Sequence, residues 1–153
     1  MSKVTANKIF QKHVRTLLLA KIFMNTTVQP FQIKMTNAEE VRMGSPYNAC
    51  DIELVGYDKI ELPKNGWQDK YAWANDFKQL VLIKWNFENN QPGFHLFVIN
   101  IMSGQTKESP KLFGLPNNIS CAGDKIKINK FLYNKEKSES GNLCCNIDEI
   151  FEF

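Results

Sequence analysis

The chain is short of most of what catalysis needs. Its 153 residues hold two histidines, His13 and His95, and neither a G-x-G-x-x-G nor a G-x₄-G-K-[ST] loop that could cradle a phosphate. No C-x₂-C pair occurs, and no histidine stands at ligand spacing from a cysteine, so a metal site lacks its usual donors. Long apolar runs are missing too. Leu17–Ala20 is cut by Lys21 before Ile22, Phe23 and Met24 resume, whereas a secretory core needs about 7–15 uninterrupted apolar residues and a membrane span about 20. The chain is therefore expected to be complete, cytoplasmic and free of membrane contact. Charge of one sign is also scarce: a net +3 argues for neither nucleic acid nor an anionic surface as partner. With 8 Gly and 6 Pro, collagen-like and low-complexity classes are excluded.

What the chain has is apolar and aromatic mass. At 43% hydrophobic and 12% aromatic it can bury one core, and residues 1–153 read as a single domain. Aromatic residues favour pleated, half-buried surfaces, so the expectation is mainly β. Phe10, Val14, Leu17, Leu18 and Ile22 recur at helical spacing, which predicts a helix within residues 1–24, with a strand pair as the alternative. From residue 28 to 153 strands dominate. Val28–Met35 alternates, and Asn37-Ala-Glu-Glu40 resembles a short capping box. Strands are expected at 47–57, 59–62, 77–87, 94–101, 106–113, 126–133 and 143–153, with a polar tip at 135–142 and a break at Leu115-Pro116-Asn117-Asn118. The return strand at 94–101 is apolar on both faces and is expected to lie centrally. Strands at roughly ten-residue spacing with turn chemistry between them predict an antiparallel β-sandwich or a barrel-like sheet pair.

Chemistry-bearing residues are dispersed. Cys50, Cys121, Cys144 and Cys145 read as reduced thiols, since adjacent cysteines in a strand point to opposite faces. His95 lies among phenylalanines and reads as a hydrogen-bonded strand residue. No cofactor, metal or catalytic residue is expected. Charge is uneven along the chain: seven basic residues stand against Glu39 and Glu40 before residue 43, while Glu136, Glu139, Asp148, Glu149 and Glu152 lie near the other end. An acidic end of this kind suits a protein partner of opposite charge. The segment Gly66–Asp76 reads as a polar connection carrying Trp67, Tyr71 and Trp73; two of these rings are expected to fold back over the sheet ends, and Trp67 or Tyr71, where exposed, would form a binding hot spot.

Three stretches also carry a family likeness: Ser45–Leu54, then Trp73–Asp76, then LVLIKWNFENNQPGFHLFVINIMSGQ from Leu80 to Gln105. Trp73 and Asp76 approaching a strand that ends near Trp85, the Pro92-Gly93-Phe94 hairpin and the apolar return Leu96–Asn100 make up the pattern. Over residues 45–114 the chain resembles small all-β immunity proteins of polymorphic-toxin and type VI secretion effector pairs. The resemblance implies a cytoplasmic, non-enzymatic protein that binds a cognate toxin and blocks its active site. The expected contacts are Trp67, Asp69, Tyr71 and Asp76, with Asp148, Glu149 and Glu152 as a second, acidic patch. A non-catalytic adaptor subunit of a larger assembly is the alternative. Oligomeric state is left open.

Overall fold

The computed structural model describes residues 11–15, 28–133 and 138–149. They form ten strands: β1 (Gln32–Glu40), β2 (Asn48–Val55), β3 (Trp67–Ala74), β4 (Gln79–Asn86), β5 (Gly93–Asn100), β6 (Thr106–Glu108), β7 (Leu112–Phe113), β8 (Leu115–Ala122), β9 (Lys125–Tyr133) and β10 (Ser138–Asn146). Seven make one sheet in the order β1-β2-β3-β4-β5-β6, with β7 also pairing β5; three make a second in the order β10-β9-β8. Every pairing is antiparallel. Neither sheet closes into a barrel among the described residues. Helix is minimal: residues 11–15 and a 3₁₀ turn at Glu88–Asn90. The rest of the helix expected within 1–24 lies outside the described residues.

The apolar runs of β4 and β5 are explained by burial on both faces. Val81, Ile83 and Trp85 with Phe94, Leu96 and Val98 pack against Ile119, Ile126 and Ile128 of the smaller sheet and Ile147 just beyond it. Leu80, Leu82 and Ile99 join Cys50, Ile52, Leu54 and Trp67 on the opposite face. That second face is covered by a strap, residues 56–66, which lays Tyr57, Ile60 and Leu62 over it beside Phe31. Tyr57 Oη donates to the Ile101 carbonyl at 2.9 Å, and Lys59 Nζ donates to that of Met102. Gly104 lets the strap close. Its φ is +73°, and a Cβ there would stand 2.9 Å from Lys59 Cβ.

Several local expectations fail for identifiable reasons. Asn37–Glu40 is not a helix start: β1 runs on to Glu40 through a register shift between Thr36 and Glu39. Asn37 takes φ +52°, and its amide donates across to Asp51 Oδ2 at 2.8 Å instead of capping backbone N–H groups. Residues 59–62 form no strand, because the strap crosses the sheet rather than extending it. Leu115–Asn118 opens β8 instead of breaking the chain. Pro116 lacks an N–H, and the register shift between Pro116 and Asn118 absorbs it. The tip placed at 135–142 is shorter, since β10 begins at Ser138, and the last strand ends at Asn146.

Candidate partner-binding surface

The segment read as a connection, 66–76, is mostly strand β3, and this corrects the contact role expected of Trp67. Its ring is fully enclosed, edge-on to Phe97 at 5.3 Å, with Lys84 Nζ 5.9 Å from its centroid. Trp67 Nε1 donates to the Pro63 carbonyl at 2.8 Å, tying the strap to β3. Trp67 thus offers a partner no surface; it holds the second face together. Its neighbour Gln68, which nothing in the sequence singles out, is also fully buried and donates through Nε2 to the Pro116 carbonyl at 2.5 Å. Gln68 Oε1 has no partner.

Asp69 and Tyr71 are half-buried. Asp69 accepts from Asn48 Nδ2 at 3.3 Å and lies 3.6 Å from Lys70 Nζ, while Tyr71 packs on the second-face core. Asp76 is exposed on the β3–β4 turn. There Asn75, Asp76 and Phe77 take φ of +51°, +53° and +63° in succession, a left-handed turn. That conformation costs roughly 1–2 kcal/mol per residue outside glycine, and Asn and Asp tolerate it best. The turn is held by Lys78 N donating to the Asn75 carbonyl at 3.1 Å, by Asn75 Nδ2 on Gln79 Oε1 at 2.5 Å, and by Phe77 against Trp73 at 5.5 Å.

Two backbone hydrogen bonds then gather the molecule's acidic end. Asn75 N donates to the Gly123 carbonyl at 2.9 Å, joining the β3–β4 turn to the β8–β9 turn. Ile147 N donates to the Asp124 carbonyl at 2.9 Å, joining the residues after β10 to that same turn. Asp76, Asp148 and Glu149, scattered in sequence, are thereby brought to one end, together with Asp124. All four are exposed. Glu149 accepts from Asn146 N at 3.2 Å and from its Nδ2 at 2.7 Å. Asp76, Asp124 and Asp148 have no ion pair among the described residues. Asp124 was missed because nothing local distinguishes it from any turn aspartate. Asp69 and Tyr71 lie back along β3, outside this group, and Glu152 lies outside the described residues.

Elsewhere the reactive side chains have structural partners. His95 Nδ1 faces the Ser109 carbonyl at 2.8 Å and Nε2 faces Asn86 Nδ2 at 2.9 Å. Asn86 Oδ1 accepts from Glu88 N at 3.0 Å, which orients that amide and leaves His95 Nδ1 as the protonated nitrogen. All four cysteines are unpaired. Burial, then Asp69 and Asp51, pushes the Cys50 thiol up to about 11. Burial, then Cys145, does the same for Cys121. Burial also raises Cys145. These three thiols stay protonated at neutral pH and are poor nucleophiles. No cluster of three metal-binding side chains occurs among the described residues, and no helix among them is long and apolar enough to cross a membrane.

Searches against family models, curated proteins and solved structures return no match. Two residues of the stretches singled out in the sequence, Trp85 and Gly93, have structural duties. Trp85 Nε1 donates to the Asn48 carbonyl at 2.9 Å, and Gly93 is fitted where a Cβ would meet the Leu112 carbonyl oxygen at 2.7 Å.

Proposed function

We propose that this chain is a non-catalytic binding protein that neutralises a cognate toxin by covering its active site, with the acidic end formed by the β3–β4 turn, the β8–β9 turn and the residues after β10 as the contact surface. The observation that carries the reading is the convergence of four exposed carboxylates from three separate turns, against the exposed Lys78 and Lys125 beside them, in a chain of net charge +3. Like charges held together lower folded stability, and the net negative charge that remains beside Lys78 and Lys125 accelerates encounter with a basic partner. A toxin whose substrate groove is basic is the matching partner. The resemblance over residues 45–114 supports the same reading. We read the two layers as an open, unequal sandwich that presents these turns at one end. Four unpaired thiols fit a reducing compartment such as the cytoplasm.

The test is capture of the full-length tagged chain from its native cells, identification of what co-elutes, and assay of that partner with added chain. A stoichiometric partner with a basic groove, whose toxicity falls as the chain is titrated in, is the expected result. A partner whose activity is unchanged by saturating chain overturns the neutralisation reading.

A further inference from the structure

Four strand edges end the two sheets, and three are blunted. The β1 edge carries a bulge between Thr36 and Glu39 along with Lys34, Glu39 and Glu40. The opposite edge is split into β6 and β7, three and two residues long, around Ser109-Pro110-Lys111. The edge of β8 lies along β3, tied by Gln68 to Pro116 and by Asn75 to Gly123. These are the usual devices against edge-to-edge pairing. β10 has no bulge, no proline and no break, and its one charged residue, Glu139, stands near its start. Its nine residues pair with β9 in one unbroken register from Ser138↔Tyr133 to Asn146↔Lys125, and no described strand pairs with its outer edge. Residues 140–146, SGNLCCN, contain no charge and no proline, in a chain that is 23% charged.

A row of side-chain amides runs across the smaller sheet toward that edge. Tyr47 Oη donates to Asn117 Oδ1 at 2.6 Å, Asn117 Nδ2 to Asn129 Oδ1 at 3.1 Å, and Asn129 Nδ2 to Asn142 Oδ1 at 3.0 Å. The row stops at the exposed Asn142, the outermost member, whose own Nδ2 is the next donor in the series. We propose that β10 is the docking edge for a second copy of this chain, the two strands pairing antiparallel about a two-fold axis at Asn142. A two-fold contact must be self-complementary, and this segment is. Asn142 meets its own copy and continues the amide row, while Gly141 stands opposite the partner subunit's Leu143, small against large. Ser140 stands opposite the partner subunit's Cys144. No like charges meet. The two smaller sheets become one of six strands, built from the three of each copy.

Sedimentation equilibrium of the full chain, from millimolar to nanomolar, tests this. The expected mass rises with concentration from 17.7 kDa toward twice that value. Asn142→Lys, which sets two like charges opposite each other, is expected to return the mass to monomer with an unchanged circular-dichroism spectrum; Thr36→Lys on the β1 edge is expected to leave the dimer intact. Asn142→Cys gives an independent reading, because the two-fold places both copies of residue 142 opposite each other. Mild oxidation should then yield a dimer linked 142 to 142, mapped by peptide mass spectrometry. A monomer at millimolar concentration overturns the proposal. So does a dimer that survives Asn142→Lys, or one whose Asn142→Cys form gives no 142-to-142 link.

Discussion

Asp76 carries its charge on a backbone that few side chains tolerate, and the residue types around it are chosen accordingly. Asn75 and Asp76 suit a left-handed turn, while Phe77, at φ +63°, is there for its ring against Trp73. Asp76→Asn should therefore remove charge without moving the turn, leaving the unfolding midpoint level or slightly raised in thermal melts, since one of the gathered like charges is gone. Asp76→Val should lower stability by roughly 1–2 kcal/mol, because a β-branched residue tolerates that φ poorly. A second residue-scale expectation concerns Asp51. Its carboxylate accepts from Asn37 Nδ2 at 2.8 Å and from Asn65 N at 2.6 Å, and these two bonds, with Lys64 aiding, hold it below the ordinary aspartate value. A carboxyl lowered in the folded state contributes stability above its unfolded value and loses it as pH falls through the folded one. Melts recorded downward from the ordinary aspartate range should fall more steeply for the natural chain than for Asp51→Asn. Parallel slopes would remove Asp51 from the link between β1, β2 and the strap.

At the scale of elements, the strap is what turns the second sheet face into core. It is pinned by Tyr57 and Lys59 at the β5–β6 turn and by Trp67 through Pro63. Trp67→Ala should cost roughly 3–5 kcal/mol in denaturant unfolding, the scale for removing a buried large aromatic. Trp67→Phe, which keeps a ring but loses the bond to Pro63, should cost about 1 kcal/mol for the hydrogen bond plus a smaller packing loss. A negligible effect from both would mean that the strap does not depend on this residue. The same elements mark how much could be read in advance. β2, β4, β5 and β9 were legible because their apolar residues recur with strand spacing and their ends carry Gly, Pro or Asn. β3 was not, because Gln68 is buried where polarity argues for solvent, and its partner Pro116 is remote in sequence. The bulge at Asn37 imitated a helix start for a related reason: an asparagine that accepts a positive φ serves both structures, and only its bond to Asp51 decides between them.

For the whole molecule, the acidic end is a property of topology. Asp76, Asp124, Asp148 and Glu149 are each unremarkable surface residues in the sequence; two backbone hydrogen bonds between turns make them one surface. Asp148 and Glu149 were legible as an acidic patch, but their junction with Asp76 depends on how the smaller sheet lies over β3. Three of the four carboxylates can be neutralised together (Asp76→Asn, Asp124→Asn and Asp148→Asn) with the folded shape kept, since each replacement is nearly isosteric; Glu149 is left in place because both its oxygens accept from Asn146. The most direct measurement is the affinity of this triple variant for the captured partner, beside the natural chain, at low and high salt. The expected result is binding at least about tenfold weaker at low salt, about 1.4 kcal/mol, with the difference shrinking as salt screens the natural chain's charge. Equal affinity at both salt concentrations, in a variant at least as stable as the natural chain, would contradict the assignment of this end as the binding surface.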